Sequence, residues 1–541
     1  MKLTKEQEEI INSDKLSFKI NAVAGSGKTT TLLEYAKKNS HLKILYLAYN
    51  KSLQVSLQGK LKEYKIPSMQ VSTIHSLAYS KIEAYNYNLA HDLKNQVIEK
   101  VITTHEQITN QKAYYPIPEY VALVKDLVNF YCNSSLIALD DKLIESYKKQ
   151  SDLGAKILEL LSKNEKRVLE HLKTILSAMK NKIIDATHDF YLKMFYLNKK
   201  VSTNLPYDLI LVDEAQDISD VMIGIVENQT CRRIYVGDSF QQIYTFRFAT
   251  NALNKIDLPS YELTKSFRFG DNYAKILQNN LNKLYEINSS KTLKITGLEC
   301  TTQIGKEHID FNKPFCVIAR STFGLVQQLV YFIHDKKKIY FEGGYNSYSF
   351  MNQTVYSIFY LKQKKNDKIT IDEIKDFDTI SELEQFAKDT KNQDYLNIIK
   401  FINTYGDNIF DINKKIKEHL VSDKKDADII FTTTHKSKGL EYEQVIMADD
   451  FISKKEIVNT KNKISYQRIN EELNIYYVAA TRAKNVIQIA DLNLTYTYNE
   501  NDDSSSFVKS RFINKKADNK KSKELQEEWL KKNRVKKVNA F

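Results

Sequence analysis

Ala22-Val23-Ala24-Gly25-Ser26-Gly27-Lys28-Thr29-Thr30 is the stretch that decides the fold. An apolar run, Phe18 to Val23, precedes it, and a helical pattern, Thr31-Leu32-Leu33-Glu34-Tyr35-Ala36, follows. Strand, glycine-rich turn and helix together are the setting of a phosphate-binding loop. Gly25 and Gly27 let backbone N–H groups turn inward around a phosphate, and the helix N-terminus adds its dipole. Lys28 is expected to reach the β- and γ-phosphates of a nucleotide, and the Thr29 hydroxyl to ligate Mg²⁺. Ala24, Ser26 and Thr30 complete the expected nucleotide-binding residues. Ala22 stands where the general pattern has Gly, so the loop is a variant.

Its partner lies near residue 210, in Leu209-Ile210-Leu211-Val212-Asp213-Glu214-Ala215-Gln216-Asp217. Four apolar residues ending in two acids read as a buried strand that delivers carboxylates to its tip. Asp213 is expected to share the Mg²⁺ held by Thr29. Glu214 then stands where it can polarise an attacking water, the general-base role in hydrolysis.

Further short apolar runs occur at Ile44–Ala48, Ile234–Val236, Ile429–Phe431, Val445–Met447 and Val486–Ile489. Continuous runs of this length suit strands covered on both faces, with helical patterns between them, so an α/β fold with parallel sheets is predicted. Residues from about 86 to 195 and from about 350 to 424 are instead helical and charged. Both read as insertions. After about 500 the sequence turns to Asn-Asp-Asp-Ser-Ser-Ser and then Lys-dense, which predicts a flexible basic tail with a short helix near 524–532.

Composition bounds the partner. The chain has 541 residues, too many for one core, and a formal net charge of +13, which favours a polyanion. Abundant Lys, Asn, Ile and Tyr also suit an AT-rich genome, so charge alone decides nothing. No apolar run of about 18 residues predicts a membrane span. Met1-Lys2-Leu3-Thr4-Lys5 lacks the apolar core of a signal peptide, so the cytoplasm is the expected compartment. Cys132, Cys231, Cys300 and Cys316 form no CxxC pair and are expected as buried, reduced thiols.

In order along the chain, these motifs resemble the UvrD/Rep branch of superfamily 1 DNA helicases. Leu3-Thr4-Lys5-Glu6-Gln7 looks like its adenine-reading motif, with Gln7 as the glutamine. Val71-Ser72-Thr73-Ile74-His75 is similar to a strand-contacting motif, which implies DNA contacts for Thr73 and His75; Tyr49 and Asn50 are assigned to the same path. Gly237-Asp238-Ser239-Phe240-Gln241-Gln242-Ile243-Tyr244-Thr245-Phe246-Arg247 resembles the motif linking γ-phosphate to DNA. It implies Gln241 at the phosphate and Tyr244, Phe246 and Arg247 on the strand. Phe248 stands where that branch has Gly. Ser266-Phe267-Arg268 and Thr481-Arg482 carry the implied γ-phosphate arginines, Arg268 and Arg482, with Phe267 stacked on adenine. Thr433-Thr434-His435-Lys436-Ser437-Lys438-Gly439-Leu440-Glu441 implies DNA contacts for Thr433 and His435 and a sugar contact for Glu441. Within the branch, Tyr46–Ser52 and Ala448-Asp449-Asp450-Phe451 look like signatures of the F-box DNA helicases. No room for an F-box is expected before Gln7.

The resemblance implies two RecA-like P-loop domains with mainly helical insertions. The first motor domain is expected at 1–85 and 196–260, with insertion 86–195. The second is expected at 261–349 and 425–500, with a short insertion 350–424, and the tail at 501–541. It also implies ATP and Mg²⁺ as cofactors and 3′-to-5′ movement on single-stranded or tailed duplex DNA, with RNA as the second candidate substrate. Repair and recombination are the associated processes, and the basic tail leaves room for a protein partner. The intact Lys28, Asp213, Glu214, Gln241, Arg268 and Arg482 argue against an idle scaffold, and the tail is too short for a nuclease.

Overall fold

A computed structural model describes residues 3–489 apart from 111–114, 152, 246–247, 289–290, 333–336, 349–351 and 453–465. Two six-stranded parallel sheets organise the chain. The first contains β1 (Phe18–Ala22), β2 (Ile44–Leu47), β3 (Met69–Ser72), β6 (Leu209–Val212), β7 (Arg232–Gly237) and β8 (Ser260–Leu263), in the order β3-β2-β6-β7-β1-β8. The short strands β4 (Leu89–Ala90) and β5 (Ala186–Thr187) pair separately, as do β9 (Lys265–Gly270) and β10 (Thr296–Leu298). The second sheet contains β11 (Gln303–Ile304), β12 (Phe315–Ala319), β13 (Ile339–Phe341), β14 (Ile429–Thr433), β15 (Tyr442–Met447) and β16 (Ala483–Gln488), ordered β11-β16-β15-β12-β14-β13.

The reason is the one read from the sequence. β2, β6, β12 and β14 are buried at every residue, so both faces must be covered, and only crossover connections join strands in parallel while doing so. Apolar clusters lie on either side of each sheet. The cluster on one face of the second sheet also takes in Val23, Ala24 and Ile243, so the two sheet units share packed surface.

The helices between Asn95 and Leu197 form a layer with its own core around Leu127, Phe130, Tyr147 and Leu172. A second helical group, Gln353–Lys362, Ile380–Asp389, Gln393–Tyr405 and Asn408–His419, packs into the core of the second sheet. The α/β class with helical insertions is as predicted.

One expectation fails. Of the four thiols Cys132 and Cys316 are buried, but Cys231 is half-buried and Cys300 exposed. Cys300 sits in the short connection between β10 and β11, where no second layer covers it. The predicted tail and its helix lie outside the described residues. Among the described residues, no helix is long and apolar enough to cross a membrane.

Candidate active site

In a parallel sheet the loops after the strands gather at one edge, where ligands of such folds bind. The loops after β1, β6 and β7 supply the P-loop, the acidic pair and the Asp238–Gln241 turn. Gly25 and Gly27 have φ of 74° and 78°. A Cβ on Gly25 would come within 2.8 Å of Ser266 Oγ, and one on Gly27 within 3.0 Å of Gln7 Nε2. Both positions therefore need glycine for conformation and for space. Helix Lys28–Lys38 opens with no side-chain cap, which leaves its first N–H groups for an anion. Ser26 Oγ is buried without a hydrogen-bond partner. A phosphate fits this cradle.

Lys28 Nζ lies 3.0 Å from Glu214 Oε1. Burial is the largest influence on both and opposes their charges, but the neighbouring groups together outweigh it. Glu214, Asp213 and Asp238 raise the pKa of Lys28, and Lys28 followed by Lys438 holds Glu214 down at about 2. Glu214 also has φ of 53°, the kind of backbone strain that concentrates at working sites. Asp213 is buried, accepting from Tyr46 Oη at 2.6 Å and from the Glu214 amide at 2.9 Å. The Thr29 side chain bonds to the same Tyr46 phenol. Thr29 and Asp213 both neighbour the Tyr46 hydroxyl, and their oxygens are the donors Mg²⁺ prefers.

A buried polar lattice continues from there. Gln216 Nε2 donates to Glu214 at 2.5 Å, and its Oε1 accepts from the Asp238 amide at 3.0 Å. Gln241 Nε2 donates to Asp238 at 2.7 Å. Tyr477, from the helix ahead of β16, donates to Asp238 at 3.1 Å and accepts from the Ala24 amide at 3.0 Å. Nothing local to Tyr46 or Tyr477 sets them apart among 34 tyrosines.

Strand β9 packs directly on the P-loop, where the Phe267 amide donates to Gly25 O at 2.8 Å. A Cβ on Gly27 would be 3.7 Å from the Phe267 ring. Arg268 pairs with Glu441 at 3.1 Å and donates to Thr481 O at 2.8 Å. Arg482 is buried and donates to Val478 O at 2.7 Å, Leu440 O at 3.1 Å and Thr481 Oγ1 at 2.9 Å. Burial, then the charge of Arg268, lowers its pKa to about 9. The charge of one guanidinium thus reaches the other. Gln7 spends its amide locally, accepting from the Thr4 amide at 3.0 Å and donating to Thr31 Oγ1 at 3.2 Å. Thr30 is half-buried in the first helical turn.

Lys438 is a site residue that its motif alone does not assign. Its ammonium comes from the second sheet unit to pair with buried Asp217, donates to Gln241 O at 2.6 Å, and lies 5.1 Å from the centre of the Tyr244 ring. It joins the acidic loop, the Asp238–Gln241 turn and the aromatic that follows.

The expected strand contacts fall into two groups. Tyr49 and Tyr244 stack at 5.7 Å and 22°, and Tyr244 lies 5.8 Å from the His435 ring and donates to His435 O at 3.2 Å. Burial, then Arg320, lowers the pKa of His435 to about 4, so the imidazole is neutral. Thr73 and His75 follow β3, where Thr73 caps a helix through the Ser76 amide at 3.0 Å and His75 lies 3.3 Å from Asp189. Asn50 likewise caps its helix through Leu53 N at 2.8 Å, whereas Thr433 precedes the short helix Thr434–Ser437 without a side-chain cap. Phe246 and Arg247 lie outside the described residues.

Residues 3–256 match a family model described as the UvrD/REP helicase N-terminal domain. The chain is 28% identical over 530 residues to F-box DNA helicase 1 of Gallus gallus, covering 90% of this chain and 48% of that protein. It is 29% identical over 529 residues to F-box DNA helicase protein 1 of Schizosaccharomyces pombe, covering 90% and 57%. The chain thus spans about half the length of the curated relatives it matches.

Proposed function

We propose that the chain, whose residues 3–256 match the UvrD/REP helicase N-terminal domain model, is an ATP-driven 3′-to-5′ motor on single-stranded DNA that unwinds duplex. The observation that carries this is the continuous path from Lys28 and Glu214, through Gln216, Asp238 and Gln241, to Lys438 and the Tyr49–Tyr244 stack. A nucleotide at one end and a strand at the other would each bias the same set of contacts.

In this reading the motor domains are 1–85 with 196–260 and 261–349 with 425–500. The insertions are 86–195 and 350–424. The P-loop amides, Ser26 and Lys28 bind the triphosphate of ATP. Thr29 and Asp213 hold Mg²⁺, which when bound neutralises phosphate charge. Glu214 accepts the proton of the attacking water, and it can do so only after Lys28 has turned from it to phosphate. Arg268 and Arg482 meet charge that develops during transfer. Glu441, now shared between Arg268 and Lys484, gives up its arginine when that side chain turns inward and can then meet the sugar. Tyr49 and Tyr244 offer π-faces to any base, each stack contributing about 1–3 kcal/mol, which gives a grip without sequence preference.

The test is ATP turnover with and without single-stranded DNA. Turnover is expected to rise steeply with DNA, and affinity for the strand to fall as salt is raised. Indifference to every nucleic acid would contradict the proposal. Lys438→Met should lower that stimulation by about tenfold while leaving nucleotide affinity nearly unchanged. A variant that loses only affinity would make Lys438 a nucleotide ligand instead.

A further inference from the structure

The loop from Gln242 to Thr250 carries Tyr244 and contains a backbone outlier. Phe248 has φ of 55°, the left-handed region, which a bulky side chain rarely adopts. Among the described residues, the seven other non-glycine residues with positive φ are lysine, glutamate or asparagine. A glycine would take this φ without strain, so the position keeps a phenyl ring at the expense of its backbone. Such strain persists only where the surroundings over-determine it.

The surroundings do. The Phe248 amide donates to Thr245 O at 2.9 Å, and the Thr250 amide donates to Ile218 O at 2.8 Å. Ala249 pairs antiparallel with Ser219, beside the acidic loop. The ring itself leaves this unit. It packs edge-on against Phe130 at 5.3 Å and 77°, and Phe130 in turn lies 5.2 Å from Tyr147 in the core of the helical layer. The same loop is gripped from the second sheet unit a few residues earlier. Asn474 Nδ2 donates to Gln242 O at 2.9 Å, the Thr245 amide donates to Glu471 at 3.3 Å, and Tyr244 donates to His435 O. Three bodies therefore meet on one loop.

We propose that Phe248 is a positioning residue that fastens the 242–250 loop to the helical layer, so that movement of the second sheet unit against the first is passed to that layer. The proposal deepens the motor reading and rests on it for its strand-dependent effect. Phe248 would touch neither nucleotide nor DNA.

The experiment uses the full chain with Phe248→Gly, Phe130→Leu, the double variant and Phe248→Tyr. Glycine relaxes the backbone and removes only the ring, so folding should survive; thermal melting checks this. The first readout is hydrogen exchange in helix Pro118–Asn133 with and without a non-hydrolysable ATP analogue. The unaltered chain and Phe248→Tyr should show a nucleotide-dependent change there, and Phe248→Gly should lose it. The second is the ratio of DNA-stimulated to unstimulated ATP turnover, which should fall about fivefold or more in Phe248→Gly. Because both rings form one contact, the double variant should lose no more than either single one. A Phe248→Gly chain with normal nucleotide-dependent exchange and a normal ratio overturns the proposal. So do losses that multiply in the double variant, or an unaltered chain whose helix does not respond to nucleotide. If DNA fails to stimulate the unaltered chain, the motor reading falls, and the exchange arm still decides on Phe248.

Discussion

Glu214→Gln is expected to bind ATP and single-stranded DNA as the unaltered chain does and to hydrolyse ATP about 10³-fold more slowly. The amide keeps the size of the carboxylate but cannot take a proton. It also releases Lys28, whose 3.0 Å ion pair with Glu214 competes with its bond to phosphate. Nucleotide affinity should therefore hold or rise while turnover collapses, a split that simple damage to the pocket would not produce. Lys28→Ala should differ in kind. It removes the cation that meets the phosphates, so affinity and turnover fail together while the fold, built on both sheets, remains. Equilibrium nucleotide binding measured beside single-turnover hydrolysis separates the two. Normal hydrolysis by Glu214→Gln would move the general base elsewhere.

Arg268→Ala and Arg482→Ala should each lower kcat by about 10³-fold and change nucleotide affinity little, because in the proposed motor both meet charge that grows only during transfer. The two substitutions carry different structural risk. Arg268 is held by Glu441 and one carbonyl, so its loss should be tolerated. Arg482 satisfies Val478 O, Leu440 O and Thr481 Oγ1 from a buried position, and each group left without its donor costs about 1–3 kcal/mol. Arg482→Lys keeps the charge and part of that bonding, so it should melt near the unaltered chain and still be slow, since an ammonium cannot reproduce the planar fork. Parallel titrations of affinity and rate decide the matter. Lost affinity with an intact kcat would make either arginine a binding residue.

How far the sequence reached depended on how local each cause was. The P-loop and the Asp213-Glu214 pair were legible because the chemistry needs those residue types at fixed spacing, next to strands whose continuous apolar runs announce burial on both faces. Arg268 and Arg482 came only through resemblance, since nothing in a lone arginine says what will face it. Tyr46, Tyr477 and Lys438 were invisible as site residues. Tyr46 meets Asp213 from 167 positions away and Lys438 meets Asp217 from 221, so only the packed fold brings them together. The left-handed backbone of Phe248 was signalled only by resemblance, since the branch has Gly there, and its contact with Phe130 exists only in the packed fold. Exposed Cys300 shows the reverse error. The lack of a CxxC partner suggested a buried thiol, but Cys300 stands exposed in the short connection between β10 and β11.

The most direct measurement is strand displacement on two duplexes that differ only in carrying a 3′ or a 5′ single-stranded tail, with ATP or with its non-hydrolysable analogue. DNA and RNA versions run side by side, and streptavidin displacement from end-biotinylated single strands detects movement that separates no duplex. The motor account predicts that ATP, and not the analogue, drives displacement of the 3′-tailed DNA duplex. Displacement of the 5′-tailed substrate alone would contradict the direction. Absence of both unwinding and streptavidin release, by a chain that hydrolyses ATP, would contradict the motor itself.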